Sequence, residues 1–248
     1  MSSPTPSSPS PEVRCKIADL IADLPDTESN ALRCQAYTYP DAPDADIVIC
    51  EKKYRTHLYP ANLPRKALSY VEDAFQFYVR LVDFGGFYLH ASAVVLDGRA
   101  YLFSGDSGAG KTTHTRLWQS IFGPNCRVIN DDKPALRLID GVWYAYGTPW
   151  CGKDGINLNE RAPVAGVCFL KQSSRNAIRR LSIQDAIQRI MGQTLYTFQD
   201  IGRIDAFLKL LEQFLGAVPF YELENLPVPD AARLSYETMR RGAEEAGL

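Results

Sequence analysis

The stretch Gly105-Asp106-Ser107-Gly108-Ala109-Gly110-Lys111-Thr112 has the spacing of a phosphate-binding loop, Gly-x-x-x-x-Gly-Lys-Thr. An apolar, β-prone run, Ala100 to Phe103, precedes it, and a helix is predicted from about Thr112 to Phe122. Glycines allow backbone N–H groups to turn inward without a Cβ in the way. Because those groups and the positive end of the following helix attract anions, the stretch predicts a strand–loop–helix unit that binds phosphates.

The individual positions of this segment, called the 105–112 loop below, indicate a nucleoside triphosphate as the anion. Lys111 is placed to reach the β and γ phosphates, and the Thr112 hydroxyl is placed to ligate Mg²⁺. We therefore predict ATP with Mg²⁺ as the ligand, with nucleotide contacts from Gly105, Asp106, Ser107, Gly108, Ala109, Gly110, Lys111, Thr112 and Thr113. The alternative is a glycine-rich turn with an incidental lysine.

Two adjacent carboxylates, Asp131 and Asp132, follow the short run Arg127 to Asn130, one helix after the loop. A phosphate site needs a carboxylate on a neighbouring strand, and ligands of open α/β sheets bind at the carboxyl ends of the strands. Two carboxylates can take separate roles, one on Mg²⁺ and one accepting a proton from a hydroxyl. The alternative is a polar strand end with two solvated aspartates.

Strands and helices alternate along the chain, which predicts an α/β fold. Residues 1–12, rich in Ser and Pro, predict a disordered tail. Residues 13–84 predict an accessory region of short strands and loops that ends in a helix from Pro64 to Phe84, and residues 85–248 predict the domain that carries the loop. Its predicted strands are Phe87 to Leu96, Ala100 to Phe103, Arg127 to Asn130, Leu136 to Ile139, Val142 to Tyr146, Val164 to Leu170 and Pro219 to Leu223, with hairpin turns at Asp97-Gly98 and Asp140-Gly141. Its predicted helices are Thr112 to Phe122, Ile183 to Tyr196, Ile204 to Leu215 and Asp230 to Glu245.

The composition argues against several classes of protein. A formal net charge of -2 gives no general attraction for nucleic acid or for an anionic membrane. No apolar run approaches the roughly 20 residues that span a bilayer, and the start of the chain lacks the pattern of a secretory signal. We therefore predict a cytoplasmic protein whose six cysteines are free, since no Cys-x-x-Cys pair occurs. Three scattered histidines argue against a zinc site.

Three motifs together resemble the catalytic core of HPr kinase/phosphorylase: Leu89-His90-Ala91-Ser92-Ala93-Val94-Val95, the 105–112 loop, and Asn130-Asp131-Asp132. That family has a strand with a histidine, a Gly-Asp-Ser-Gly-x-Gly-Lys loop and an Asp-Asp pair, and it forms a wider group with the ATP-dependent phosphoenolpyruvate carboxykinases. The resemblance covers roughly residues 87 to 135. It implies a P-loop kinase core of this type in residues 85–248, with a small N-terminal α+β extension.

The resemblance also implies roles for individual residues. His90 would lie near the transferring phosphate, Asp131 would be the general base, and Asp132 its acidic neighbour, which we assign with Thr112 to the metal. Without the resemblance, a lone histidine in an apolar strand is more typical of a core residue. Catalysis is therefore assigned to Asp131, His90 and Lys111.

The acceptor is suggested by small HPr-kinase-related proteins found near genes for modified peptides, which this chain resembles in length and in the segment Gly147 to Lys153. Some of those proteins phosphorylate a serine of a precursor peptide. A serine hydroxyl of a peptide, a protein or a small molecule is therefore the expected acceptor, with residues 13–84 and the Trp150 segment as the expected places to hold it. The glycine-rich loop by which the bifunctional enzymes contact HPr is not recognisable here, so HPr is expected to be a poor substrate.

Further candidates lie outside these motifs. Lys153, in the Gly-, Pro- and Trp-rich segment Gly147 to Gly155, is a candidate contact for a phosphate or an acidic acceptor. The alternative is a tight connection with Trp150 packed inward. His114 is assigned to the surface of its helix, with a position facing the nucleotide as the alternative, and Arg161 is a weaker candidate for a phosphate contact.

The sequence thus predicts an ATP-dependent kinase acting on a hydroxyl group. Two other functions stay open: a nucleotide-binding regulatory or partner protein without phosphotransfer, and a carboxykinase-like enzyme acting on a small keto acid. The aspartate pair favours chemistry over binding alone, and the short chain argues against the carboxykinase. The acceptor and the oligomeric state are not determined by the sequence.

Overall fold

The computed structural model of the protein describes residues 12–41, 44–195 and 201–248. These ranges have mixed α/β structure and divide into two compact units, one up to Phe77 and one from Tyr78 to Leu248. The boundary expected from the sequence lies between residues 84 and 85. Residues 1–11 of the expected tail lie outside the described ranges, and Glu12 begins the first strand.

The first unit contains a small three-stranded sheet. Its elements are β1 (Glu12–Ile17), β2 (Leu20–Pro25), α1 (Glu28–Arg33), β3 (Ile47–Val48) and most of α2 (Arg65–Leu81). β1 and β2 form an antiparallel hairpin, and β3 lies parallel to β2. Ala18 and Asp19, with φ of 52° and 58°, form the two-residue turn of the hairpin.

The second unit is built on one curled sheet. Its strands are β4 (Gly86–Tyr88), β5 (Ala91–Leu96), β6 (Arg99–Ser104), β7 (Arg127–Asn130), β8 (Ala135–Ile139), β9 (Val142–Tyr146), β10 (Arg161–Gln172), β11 (Ala177–Arg180) and β12 (Phe220–Asn225). They lie in the order β4-β8-β9-β10-β6-β5-β7, with β12 beside β10 and β11 beside β12. β10 joins an antiparallel part to a parallel part, because it runs antiparallel to β9 and parallel to β6 and β12. The two Asp-Gly turns predicted from the sequence connect β5 to β6 and β8 to β9, each with positive φ at both residues.

Helices cover both faces of this sheet. The side chains of β6 alternate between the two faces and are apolar on both, so each face is a surface on which helices can pack. Ala100 and Leu102 face one apolar cluster, whereas Tyr101 and Phe103 face another. The helices are α3 (Lys111–Phe122), α4 (Ile183–Ile190), α5 (Ile201–Ala217) and α6 (Pro229–Glu245). α4 and α5 bury side chains in the first cluster, and α3 and α6 bury theirs in the second.

Two sequence-based boundaries in this unit are wrong, and one strand was not predicted. The strand predicted from Phe87 to Leu96 is two strands, β4 and β5, interrupted at Leu89 and His90. The helix predicted from Ile183 to Tyr196 ends at Ile190 and is followed by a 3₁₀ turn, Met191–Gln193; its predicted last residue lies outside the described ranges. β11 was not predicted, because its sequence Ala-Ile-Arg-Arg lacks an alternating apolar pattern.

Two expectations from composition bear on the described residues. All six cysteines are free thiols, as expected. Among the helices that the structure describes, none is long and apolar enough to cross a membrane.

Candidate active site

A cleft of about 640 Å³ lies between the 105–112 loop and the turn at Asp131 and Asp132. It is formed by the segment before β5, the loop with the start of α3, the turn after β7, and the loop after β9. The residues that line it are His90, Ser107, Gly108, Gly110, Lys111, Thr112, Thr113, Arg116, Asp131, Asp132, Gly152, Lys153 and Asp154. Every residue expected to act in catalysis or metal binding therefore lines one cleft, whereas Gly105, Asp106 and Ala109 do not line it.

Three glycines set the path of the 105–112 loop. Gly105, Gly108 and Gly110 have φ of 142°, 84° and 98°, values that residues with side chains rarely adopt. A Cβ on Gly105 would lie 3.1 Å from the carbonyl oxygen of Leu170 in β10, a contact tight enough that the backbone there would have to shift. α3 begins directly after Gly110, and no side chain caps its first turn. The N–H groups at this helix end are thus left for an anion.

Lys111 lies against the carbonyl groups of its own loop. Its Nζ donates to Gly105 O at 2.8 Å and to Asp106 O at 3.3 Å. Burial lowers the pKa of Lys111, while the carboxylates of Asp132 and Asp106 act in the opposite direction. A phosphate group would give this ammonium a charged partner in place of neutral carbonyls.

Asn130, at the end of β7, fixes the acidic turn. This side chain is fully buried, and its Oδ1 accepts the backbone N–H groups of Asp132 at 2.9 Å and Lys133 at 2.6 Å. Its Nδ2 donates to Thr148 O at 3.1 Å and Trp150 O at 3.3 Å. One amide therefore holds both the acidic turn and the loop after β9 in place.

Asp131 is almost completely buried, at 6% exposure. The backbone N–H of Gly152 donates to its Oδ1 at 2.6 Å, and Ser92 Oγ donates to its carbonyl oxygen at 3.0 Å. Burial raises the pKa of Asp131, and the charges of Asp132 and Asp154 raise it further, against the opposing effect of the Gly152 N–H. This carboxyl group therefore takes up a proton more readily than an ordinary aspartate.

Asp132 is perturbed in the opposite direction. Burial opposes its charge, but the hydrogen bond with His90 and the contact with Lys133 outweigh burial and lower the pKa of Asp132 to about 2. His90 Nε2 lies 3.2 Å from Asp132 Oδ1, and Lys133 Nζ contacts Oδ2. The surroundings thus shift the pKa values of the two adjacent carboxyl groups in opposite directions, an arrangement typical of groups with separate acid–base roles.

His90 lies in the break between β4 and β5 rather than within a strand, which corrects the expectation from the sequence. Its side chain is 31% exposed and reaches the cleft. The His90 carbonyl accepts from Ser104 Oγ at 2.8 Å, and its Nδ1 lies 3.0 Å from Gln193 Oε1. The sequence offered no signal for Gln193, which lies 103 residues away.

Two further expectations are wrong. His114 is not on the helix surface but fully buried, with Nε2 3.0 Å from Ser235 Oγ and 3.2 Å from the donating Trp118 Nε1. Burial lowers the pKa of His114 to about 4. Arg161 does not line the cleft; its Nη1 donates to Tyr146 Oη at 2.9 Å.

The loop after β9 forms the remaining wall of the cleft. Lys153 lines it, and its contact with a phosphate or an acceptor stays a prediction. Trp150 is fully buried, as the alternative of a tight connection with Trp150 packed inward expects. At the rim, Arg116 of α3 forms an exposed ion pair with Asp154, with 2.8 Å between Nη2 and Oδ2. Surface pairs of this kind contribute little to stability, so these side chains can exchange partners with a ligand.

The side chains that line the cleft limit the kind of metal site that it can form. In the described ranges, no group of three or more His, Cys, Asp or Glu side chains could hold a metal ion. Mg²⁺ at phosphate sites commonly takes one or two carboxylates and completes its shell with phosphate oxygens and water. Thr112 and the ionised Asp132 line the same cleft. These residues fit Mg²⁺ bound together with a nucleotide, and they do not fit a metal ion held by protein side chains alone.

Comparisons with known proteins give a distant likeness. No protein-family model matches the sequence, and no curated protein matches it. One solved structure that the chain resembles is the HPr(Ser) kinase/phosphatase from Coxiella burnetii, at 14% sequence identity and a TM-score of 0.34. The match covers 64% of this chain and 96% of that one. A likeness this weak carries no conclusion about the activity of this chain.

Proposed function

We propose that this protein transfers the γ-phosphoryl group of ATP to a hydroxyl group, with Mg²⁺ bound alongside the nucleotide. The observation behind this proposal is the composition of one cleft, which places the 105–112 loop and Lys111 together with Asp131, a carboxyl group of raised pKa. A phosphate loop alone supports nucleotide binding. A proton acceptor in the same cleft supports transfer of the phosphoryl group.

On this proposal, the phosphates bind the N–H groups of the 105–112 loop and of the first turn of α3. Lys111 donates to the phosphate oxygens, which replace its present carbonyl partners. Thr112 Oγ1 and Asp132 would hold Mg²⁺, which when bound offsets negative charge on the phosphates. His90, which lines the same cleft, would contact the transferred group.

We assign to Asp131 the role of accepting the proton of the acceptor hydroxyl. Its Oδ1 is occupied by the Gly152 N–H, which leaves Oδ2 to accept that proton. The acceptor oxygen forms a bond to the γ-phosphorus while the bond from that phosphorus to the β–γ bridging oxygen breaks. The phosphoryl group ends on the acceptor, the proton ends on Asp131, and ADP is the leaving group.

The acceptor class is proposed from the sequence resemblance: a serine hydroxyl in a peptide, a protein or a small molecule. Lys153, an exposed cation at the cleft, is available for an acidic group of that acceptor. HPr itself is expected to be a poor acceptor, because the loop that contacts it in the bifunctional enzymes is not recognisable in this sequence.

The test is transfer of label from γ-labelled ATP with Mg²⁺ to free serine, to serine-containing peptides and to HPr. We expect saturable, Mg²⁺-dependent labelling of a hydroxyl acceptor, and labelling slower by about 10²- to 10⁴-fold with Asp131→Asn. Tight ATP binding without transfer to any acceptor would instead favour a nucleotide-binding regulator. Nucleotide-dependent release of carbon dioxide from a small keto acid would favour a carboxykinase-like enzyme.

A further inference from the structure

We propose that Gln193 is a positioning residue that couples the 105–112 loop to His90, an inference that rests on the proposed function. Gln193 Nε2 donates to Asp106 Oδ1 at 3.0 Å, and Gln193 Oε1 lies 3.0 Å from His90 Nδ1. One side chain therefore bridges the second residue of the loop and the histidine of the cleft. At 9% exposure, Gln193 makes these bonds with little competition from water.

The chemistry of the three partners determines the direction of each hydrogen bond. An ionised Asp106 carboxylate only accepts, so it selects the NH₂ end of the amide. The amide oxygen must then face His90, and it accepts from the Nδ1–H of the imidazole. Gln193 thereby keeps a proton on Nδ1. Nε2 lies 3.2 Å from Asp132 Oδ1, which as a carboxylate oxygen only accepts, so the hydrogen bond to Asp132 requires a proton on Nε2 as well and both ring nitrogens act as donors.

The backbone around Gln193 holds the amide at this place. The His90 N–H donates to Gln193 O at 2.6 Å, so main chain and side chain contact the same residue. Next along the chain, Thr194 Oγ1 donates to Tyr88 O at 2.6 Å, and Thr194 forms an antiparallel bridge with Leu89. The segment after α4 is thus paired with the break between β4 and β5.

These contacts join both sides of the cleft. The Asp106 carbonyl accepts from Lys111 Nζ at 3.3 Å, and its carboxylate accepts from Gln193. Hydrogen bonds therefore connect Lys111 to the backbone of Asp106, and the side chain of Asp106 through Gln193 and His90 to Asp132. Loss of Gln193 would free the imidazole to turn about its side-chain bonds, while the loop would keep its backbone N–H groups for phosphate.

The first test compares Gln193→Leu with a matched control, Gln188→Leu, at an exposed position of α4. We expect Gln193→Leu to lower kcat by about 10- to 100-fold, the range for a misplaced catalytic group, with KM for ATP little changed. In a His90→Ala background, the same substitution should lower kcat no further, because Gln193 acts through His90. Gln188→Leu should match the parent.

A second readout does not depend on phosphotransfer. The chain has three histidines, so ¹⁵N NMR can resolve the imidazole nitrogens of His90 after assignment with His57→Gln and His114→Gln. We expect a protected Nδ1–H signal for His90 in the parent and in Gln188→Leu, and its loss in Gln193→Leu. A parent protein that transfers no phosphate can still show the Nδ1–H signal that Gln193→Leu loses. That outcome would refute the proposed function but support the hydrogen-bond bridge through Gln193.

Exchanging the carboxylate and the amide between positions 106 and 193 distinguishes the loss of a hydrogen bond from misfolding of a variant. Gln193→Glu alone should lower kcat, because it places a carboxylate against that of Asp106. The double variant Asp106→Asn/Gln193→Glu should recover most of the loss, since the new amide can donate to the new carboxylate, whose other oxygen accepts from His90. An unchanged His90 signal in Gln193→Leu, or a double variant no better than Gln193→Glu, would overturn the inference.

Discussion

Gly152 donates its backbone N–H to Asp131 Oδ1 at 2.6 Å, so the loop after β9 orients the carboxyl group to which we assign the proton. The approach is close enough that a side chain at position 152 would press on the Asp131 carboxyl group. A Cβ at position 152 would lie 2.9 Å from Asp131 Oδ2 and 3.1 Å from its Cγ, which forces one of the two groups to move. Glycine at this position is thus explained by the carboxyl group rather than by a turn.

Gly152→Ala should therefore displace Asp131. We expect kcat to fall by about 10- to 100-fold, because small misplacements of a reacting group have effects of that size, while MgATP binding is retained. The control is Gly216→Ala in α5, where a Cβ would meet nothing within 4 Å. Steady-state kinetics measures the change in kcat, and nucleotide titration measures MgATP binding. A Gly152→Ala protein with the parent kcat would show that the position of Asp131 is not critical.

Lys111→Ala tests the nucleotide site. A ligand that binds only the folded state stabilises it by about 2.7 kcal/mol at a concentration 100 times its Kd. The parent should show a corresponding rise in Tm with MgATP, and Lys111→Ala should lose most of that rise while its Tm without ligand changes little. Lys209→Ala, which removes an exposed lysine of α5, should respond like the parent. An undiminished response in Lys111→Ala would contradict the assignment of the 105–112 loop.

Asp131→Asn tests the proton acceptor. The variant should bind MgATP like the parent and lose transfer by about 10²- to 10⁴-fold, the usual contribution of general base catalysis. Burial raises the pKa of Asp131 above its ordinary value of 3.8, so the acid limb of the parent's kcat profile should have its midpoint above that pH. Asp205→Asn on the exposed surface of α5 is the control. Full transfer by Asp131→Asn would make this carboxyl group merely structural.

Asp132→Asn tests the metal site separately. Since Asp132 is the carboxylate whose pKa is lowered to about 2, it is ionised at neutral pH and suited to a divalent cation. The Mg²⁺ concentration for half-maximal transfer should rise by roughly tenfold or more, since even residues that only support a metal ligand have effects of that size. Titration of transfer against Mg²⁺ at saturating ATP measures the shift. The same Mg²⁺ dependence in the parent and in Asp132→Asn would exclude Asp132 as a ligand.

The sequence predicted those parts of the site that lie close together along the chain. The 105–112 loop is recognisable because its glycine spacing is local, and the hairpin turns at Asp97-Gly98 and Asp140-Gly141 are recognisable for the same reason. The roles of Gly152 and Gln193 depend on contacts with residues 21 and 103 positions away. No local pattern encodes such pairs, so they required the structure.

Errors arose where tertiary contacts override a local pattern. The apolar run from Phe87 to Leu96 reads as one strand, but the structure interrupts it at Leu89 and His90, where His90 bonds to Gln193 and lies against Asp132. His114 follows the loop on a short helix with mixed side chains, which suggested a surface position. In the structure α6 covers that face of α3, and Ser235 of α6 supplies a hydrogen-bond partner for Nε2 of the buried His114.

The buried His114 should make the second unit sensitive to acid. Burial lowers its pKa from 6.5 to about 4, so its contribution to folding stability is present above pH 6.5 and is lost as the pH falls to about 4. This pKa shift corresponds to about 3 kcal/mol of folding free energy.

Denaturant unfolding at pH 7.5 and pH 4.5 can be followed by tryptophan fluorescence, because all three tryptophans, Trp118, Trp143 and Trp150, lie in the second unit. His114→Gln should be less stable than the parent at pH 7.5 and should lose less stability between the two pH values, whereas His57→Gln, at an exposed position, should lose as much as the parent. Equal losses in His114→Gln and the parent would mean that His114 is not the group that titrates.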